Sequence, residues 1–406
     1  MKQLSPCGRT GHGLVWLLVS AFPLTLAAAV HLIDPGAVPI PSIGRNSHLV
    51  LDASGHPVVV FSDQINNDLF LLRCNDPACS GGDDLARVLA ADADGDLPRI
   101  VLDASNHPVV TYFRGIDTSM VLLRCNDPMC AGEDEVLTVL DAGGSGGSSD
   151  VVLDGAGNPV VAWFDNDADS LVLIDCNDPA CVSETVNVVS PGEGVISNIS
   201  MVLDGVGRPV IAFQGFGFDL RLTHCNDPAC AGGDDAAHTV YTTPNQTPDV
   251  RLKLDVSGNP VIGFTDAAGS GTVMLVHCND SACSGSNESV QNVVVGRSSS
   301  MALDGAGRPA FAFRDGLLLK SARCNDVNCA GGNELITTVT SGYNDFEISM
   351  ALDASGYPVV ASGTSFCCPQ QGGIRINHCS DEFCNGTTDV VVTKQKIDVG
   401  RSSSIV

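Results

Sequence analysis

Helix-forming pattern is the first thing missing. Beyond residue 29 no stretch of useful length repeats apolar residues at the i, i+3, i+4 spacing of an amphipathic helix. Basic residues are scarce as well, 21 Lys and Arg against 47 Asp and Glu, for a formal charge of −26. A surface of that sign repels nucleic acid and anionic membranes, so both drop out as partners. Aromatic residues are only 5% of the chain, and Trp163 is the one tryptophan after residue 29. The apolar fraction is nevertheless 44% and patterned, which separates this chain from disordered acidic ones. Apart from the N-terminus, no apolar run could form a membrane span.

The N-terminus reads as an export leader. Lys2 and Arg9 precede an apolar run from Leu14 to Leu26, followed by Ala27, Ala28 and Ala29. That is a secretory signal peptide over residues 1–29, with cleavage after Ala29. Its loss takes the formal charge to −28 and removes Cys7. The mature protein is expected to be secreted, extracellular or periplasmic. Residues 30–44 read as a short linker.

What the chain has in abundance is one repeat. Leu51 to Phe61, LDASGHPVVVF, is followed by Cys74 to Cys79, CNDPAC, and the pair recurs seven times at a period of about 50 residues. The Leu-Asp falls at Asp52, Asp103, Asp154, Asp204, Asp255, Asp304 and Asp353. Each copy predicts four strands. Strand a ends at the Leu-Asp; a D-x-x-G-x-P turn follows, in which the Asp accepts backbone N–H groups and the Gly supplies a positive φ. The second copy has Asn106 at the Gly position, the non-glycine residue that best tolerates that conformation. Strand b begins at the Pro, strand c runs into the first Cys, and a weaker strand d closes the unit. Four short strands per unit, repeated, predict an all-β fold: a seven-bladed β-propeller of four-stranded antiparallel blades over residues 45–396.

Sixteen cysteines remain in the mature chain, an even number, as an oxidising compartment favours. Fourteen form C-x4-C pairs: Cys74 with Cys79, Cys125 with Cys130, Cys176 with Cys181, Cys225 with Cys230, Cys278 with Cys283, Cys324 with Cys329, and Cys379 with Cys384. They are expected to be local disulfides, each worth about 2 kcal/mol by loop-closure entropy. Zinc would need four converging ligands, and no histidine pair stands beside these cysteines. Cys367 and Cys368 are adjacent, with a local loop disulfide the simplest of several readings.

Comparing the copies divides the molecule into two faces. The a–b turn and the CNDPxC loop are nearly constant and lie on one face. The b–c and d–a connections vary and lie on the other, where a specific site would sit. Two variable loops carry alternating acids, Asp92, Asp94 and Asp96 in DADGD, and Asp165, Asp167 and Asp169 in DNDAD. They are candidate calcium ligands, although neither completes an EF-hand, and solvated turn residues are the plainer account. Gly143 to Gly147 matches G-x-S-x-G only formally, since no helix follows. His224, His277 and His378 share a repeat position with Arg73, Arg124, Asp175 and Arg323, which marks them as structural. No catalytic constellation emerges.

From about Arg45 the chain resembles uncharacterised secreted bacterial proteins with LD-x-x-G-x-P-V-V and C-N-D-P-x-C repeats, and more distantly sialidase-type (BNR-repeat) propellers. The first resemblance implies fold and export. The second implies carbohydrate-active chemistry, but the S-x-D-x-G-x-T-W box is absent and no tyrosine has an identifiable Glu partner, so no catalytic residue is carried over. The leading expectation is a disulfide-stapled binding or scaffold module for a macromolecule or glycan, acting through its variable acidic face, without a catalytic role. The alternative is a propeller-type carbohydrate-active enzyme, a sialidase-like hydrolase or a lyase. An extracellular protein or glycan is the expected partner. The last residues, VGRSSSIV, repeat the letters that lead into Leu303-Asp304. Residues 397–406 therefore read either as a closing strand or, the preferred reading, as the start of an eighth copy.

Overall fold

Each repeat folds into one antiparallel sheet of four strands, and seven sheets form a ring. The computed structural model describes residues 31–32 and 43–394, apart from 64–67, 81–83, 91–94, 133, 142–145, 193–196, 234, 236, 286, 342–343, 366–372 and 387–388. Blade 1 comprises Ile43–Leu51, Pro57–Asp63, Asp68–Arg73 and Leu85–Ala90, in that spatial order. The innermost strands of the other blades are Gly95–Leu102, Gly146–Leu153, Ser197–Leu203, Arg251–Leu254, Arg297–Leu303 and Asn344–Leu352. Among the described residues the one helix is a short 3-10 turn, Phe216–Phe218, and no helix is long and apolar enough to cross a membrane.

The repeat letters account for the blade. The Leu before each repeat Asp pairs with the Pro that opens strand b, as in Leu51 with Pro57 and Leu102 with Pro108. Between them Gly55 has φ +80° and Asn106, in the same place, +61°. Both occupy the left-handed region, and Asn106 uses its side-chain oxygen to accept the Ala53 N–H of blade 1. The Pro nitrogen loses no ladder bond, while its carbonyl accepts the N–H of the Cys that ends strand c, Cys74 to Pro57 at 2.9 Å.

The core is seven similar cores, one at each blade–blade interface. Val58, Val60, Leu69 and Leu71 of blade 1 pack on Ile100, Val110 and Tyr112 of blade 2, all almost fully buried. Alternation along strands b and c sends the other set, Val59, Phe61, Phe70 and Leu72, to blade 7. There they meet Val359, Ala361, Ile374 and Ile376. Phe61 and Phe70 stack with centroids 5.4 Å apart. Burying each such ring is worth roughly 1.5–3 kcal/mol.

The ring therefore closes by packing, because all four strands of blades 1 and 7 come from their own repeats. Two hydrogen bonds join these blades at the axis, Ser47 Oγ to the Glu347 carbonyl at 2.8 Å and Leu49 N–H to Ser349 Oγ at 2.9 Å. His31 and Leu32 add a short parallel pairing to Val392 and Thr393 on the outer edge of blade 7. The inner strand of blade 1 begins at Ile43, before the apolar run, because register shifts between Ile43 and His48 carry the chain through Asn46 at φ +53°.

Candidate functional site

The constant face is built for structure. Asp52 Oδ1 accepts the N–H groups of Ser54 and His56, both at 2.9 Å, and its Oδ2 accepts Arg73 Nη2 at 2.7 Å. Arg73 goes on to the carbonyls of Asn106 and Pro128 in blade 2. Arg124 and Arg323 repeat this bridge from Asp103 and Asp304. His224, His277 and His378 place Nε2 at 3.0–3.1 Å from Asp204, Asp255 and Asp353. For His224 the other nitrogen faces the Ser281 carbonyl of the next blade. Burial would raise the carboxyls of Asp204, Asp255 and Asp304, but the N–H groups and cations outweigh it and hold them below the usual value of 3.8. The arginines, His224 and His277 are rivets between blades, and all of these residues are structural, as their shared repeat position implied. Blade 3 is the exception. Asp175 stands where the others have a cation or imidazole, and burial, then the charges of Asp154 and Asp227, push its carboxyl up.

All seven C-x4-C pairs are disulfides, as the spacing predicts. Cys74 is bonded to Cys79, Cys125 to Cys130, Cys176 to Cys181, Cys225 to Cys230, Cys278 to Cys283, Cys324 to Cys329 and Cys379 to Cys384, with Cα atoms 4.8–5.0 Å apart. The sequence did not foretell the backbone at the second cysteine. Cys79, Cys130, Cys181, Cys230, Cys283, Cys329 and Cys384 all lie at φ +48° to +54°, a conformation unusual for a residue with a Cβ. The loop Asp supports it: Asp76 Oδ1 accepts the N–H groups of Ala78 and Ser80. Asp178, Asp227, Asp326 and Asp381 do the same before Cys181, Cys230, Cys329 and Cys384, each accepting the N–H of the residue that precedes the cysteine at 2.8–2.9 Å. Asp84, Glu135 and Glu288 lie beside the sulfurs of their loops, and each accepts the N–H of the Asn that follows the first cysteine. An oxidised pair has no thiolate to give a metal, so these groupings are structural.

The axis of the ring differs. A cavity of about 500 Å³ runs along it, walled by the inner strands. The repeat position four residues before each Asp faces this channel and holds His48, Arg99, Asp150, Ser200, Arg251, Ser300 and Ser349. Five of them carry an acceptor that receives a backbone N–H of the next blade: Ile100 to His48 Nδ1 at 3.2 Å, Met201 to Asp150 at 2.8 Å, Leu252 to Ser200 at 3.0 Å, Met350 to Ser300 at 3.1 Å, and Leu49 to Ser349. Accepting at Nδ1 puts the proton of neutral His48 on Nε2, so the ring offers a donor to the channel. Two residues further on, Val50, Val101, Val152, Val202, Ala302 and Ala351 line the wall, and blade 5 has Lys253 in their place.

The electrostatics follow from crowding. Burial, then the positive charges of Arg99, Arg251 and Lys253, push His48 well below the usual imidazole value. Arg99 falls to about 10, through burial first and repulsion from Arg251 second, with Asp150 and Glu347 opposing. Lys253 meets the open channel, yet protein surrounds it, and this enclosure together with Arg251 lowers its ammonium while Asp150 opposes. Burial raises Asp150 and Asp249 against the pull of the arginines. Both carboxylates are occupied: Asp150 by the Val151 and Met201 N–H groups, Asp249 by Thr265 Oγ1 and the Ser298 and Ser299 N–H groups.

Of the sequence-derived candidates, Asp92 and Asp94 lie outside the described residues, as do Cys367, Cys368 and residues 397–406. Asp96 accepts from Asn46 Nδ2 and the Leu97 N–H. Asp165 accepts the N–H groups of Asp167 and Ala168, and Asp167 and Asp169 are exposed at that turn. Trp163 is buried in the core between blades 2 and 3. Sequence reasoning missed the channel residues. The signal lay in the repeat itself, in the column four before the Asp and in the single lysine two before it.

No family model matches the chain, sialidase-type repeats included, and no curated protein sequence matches it. Solved structures match as folds. An ulvan lyase of polysaccharide lyase family PL25 is 8% identical, with a TM-score of 0.56 over 87% of this chain and 96% of its own. The same lyase bound to -[GlcA(1-4)Rha3S]- gives 0.57 with the same coverage and identity. A puromycin hydrolase variant is 13% identical, with a TM-score of 0.52 over 82% of this chain and 51% of its own. At these identities the shared feature is the propeller fold, and seven disulfides fit an oxidising compartment.

Proposed function

We propose that the protein is an exported binding module that takes part of a glycan into the variable-face mouth of its central channel. The observation that carries this reading is the ring of polar side chains around a cavity of about 500 Å³. That volume falls within the range of ligand pockets, and polar groups converging above apolar walls are how such pockets fix orientation. It moves the expected site from the acidic loops to the axis. The ulvan lyase bound to -[GlcA(1-4)Rha3S]- supplies a fold precedent for a carbohydrate ligand. The test is a glycan and polysaccharide array with the purified mature protein, scored for binding and for cleavage. Bound glycan without product supports the module, and Ala351→Phe, which narrows the channel, is expected to weaken binding at least tenfold while circular dichroism stays unchanged. No bound glycan of any class refutes it.

A second reading is a carbohydrate-active enzyme. The observation in its favour is the pair of shifted ionisable groups that line the channel, Asp150 and Lys253, with Asp249 two residues before Arg251 in the chain. The two carboxylates already hold structural N–H groups, and His48 Nδ1 is likewise engaged, so Lys253 is the group left to act as a base. Formation of unsaturated uronate or new reducing ends in the same incubations would support the enzyme.

A further inference from the structure

The repeat sets a rule for the channel that two blades break. In five of seven steps the residue four before the Asp accepts an N–H from the next blade. Arg99 and Arg251 occupy that position with guanidiniums, which have no acceptor. Between blades 2 and 3 the loss is made good locally, since Val151 N–H turns to Asp150 Oδ1 at 3.0 Å. Between blades 5 and 6 it is not. Among the described residues Met301, the counterpart of Met201 and Met350, receives no side-chain acceptor from the preceding blade. The same blade carries Lys253, and a two-residue spacing on a strand sends the Arg251 and Lys253 side chains to one side.

These cations also lack a contact ion pair among the described residues, and Asp150, Asp249 and Glu347 act on them only from beyond that distance. Arg99 and Arg251 each donate to the carbonyl of the residue before them, Pro98 and Val250. Neither they nor Lys253 form an ion pair among the described residues, although the chain carries 47 acidic residues. Asp150 and Asp249, the acids beside them, have oxygens committed to N–H and hydroxyl donors. Like charges gathered in a confined cavity are costly unless an anion joins them.

We infer that the channel holds one anionic substituent of its ligand, a carboxylate or sulfate on an otherwise neutral sugar chain, against Arg251, Lys253 and the Met301 N–H, with Arg99 facing it across the axis. This deepens the glycan reading and rests on it for the sugar, while the anion site rests on the cations. A guanidinium and a backbone N–H match the oxygens of such a group. The body selects against densely charged polymers: a net charge of −26 repels a polyanion, whereas a lone charge inside the channel is within about one Debye length, roughly 8 Å, of its partners.

Calorimetric titration of the mature protein tests this with a uronate-bearing oligosaccharide, its carboxyl-reduced counterpart, heparin and sodium sulfate. Two variants restore what other blades have. Lys253→Val matches blades 1 to 4, and Arg251→Ser matches blades 4, 6 and 7 and returns an acceptor to Met301, so both are expected to fold. Expected are binding of the uronate oligosaccharide at least tenfold tighter than its reduced form, a tenfold loss in either variant for the charged ligand alone, and weaker binding of heparin. Equal binding of charged and reduced forms overturns the inference and leaves the glycan reading standing. Sulfate bound with the same dependence on Arg251 and Lys253, and no sugar bound, supports the anion site and overturns the glycan reading. Indifference of every ligand to both variants overturns the anion site.

Discussion

Replacing one repeat aspartate in two different blades separates the worth of the turn from the worth of the rivet. Asp304 Oδ1 accepts the Ala306 and Arg308 N–H groups at 2.9 and 2.8 Å, and its Oδ2 accepts Arg308 Nε and Arg323 Nη2, both at 2.8 Å. In Asp304→Asn the amide oxygen keeps the backbone bonds, and both arginines lose their close carboxylate and keep only the half-exposed Glu382 at 3.9 Å. Arg308 is half-exposed, so its share is small. Arg323 is 6% exposed, and a hydrogen bond to a charged group in that setting is worth about 1.5–3 kcal/mol. The expected cost is about 2–3 kcal/mol. Asp154 keeps the same turn bonds, to Ala156 and Asn158, but its Oδ2 faces Asn158 Nδ2 and no cation. Asp175 stands opposite, raised in part by the Asp154 charge. Asp154→Asn removes a repulsion and is expected to stay within about 0.5 kcal/mol of the parent. Urea unfolding followed by the fluorescence of buried Trp163 measures both. With about 2.1 cal/mol/K per residue over roughly 350 residues, the first substitution lowers Tm by about 3–4 °C and the second leaves it in place. Equal costs would show that the carboxylate serves only its turn and that the rivet contributes nothing.

Non-reducing peptide mapping is expected to find each C-x4-C pair within one peptide, and replacing Cys125 and Cys130 together is expected to cost about 2 kcal/mol. Because Cys130 sits at φ +48°, pairing Cys125→Ala with Cys130→Gly should be milder than pairing it with Cys130→Ala, as unfolding midpoints will show. Acid titration followed by circular dichroism has a defined sign. Asp204, Asp255 and Asp304 have lowered folded values, so their stabilisation is complete above the unfolded value of 3.8 and is lost as pH falls through the folded ones. Asp150, Asp175 and Asp249 are raised, so their penalty fades as pH falls from their folded values towards 3.8, and a slight gain in stability is expected before the loss. If the acidic loops at Asp92, Asp94 and Asp96 or Asp165, Asp167 and Asp169 hold calcium, a chelator lowers the melting midpoint; an unchanged midpoint excludes both loops.

By itself the sequence determined the blade. LD-x-x-G-x-P names a turn because Asp, Gly and Pro each satisfy a separate local demand of the backbone, and Asn106 meets the one that Gly met elsewhere. CNDPxC names a disulfide loop because five residues of separation bring two Cα atoms close without help from the rest of the chain. Seven copies then imply seven sheets, and the shared position of His224 and Arg73 marks both as structural. All of these are local or periodic properties, legible along one dimension. The left-handed backbone at Cys181, Cys230, Cys329, Cys384 and their counterparts was not legible, because only the folded loop shows which residue must turn to let the sulfurs meet. The channel is different again. Arg99, Arg251 and Lys253 are separated by up to three repeats, so the repeat column marks their shared position but nothing local marks them as neighbours. They meet because the ring closes, and it closes because strands b and c of blade 1 present one apolar face to blade 2 and the other to blade 7. Closure brings the inner strands around one axis, and only there do a guanidinium in blade 2 and a guanidinium and an ammonium in blade 5 share a cavity. The chain's order set which residues stood in that column; the geometry of a closed ring decided that the column would be a site.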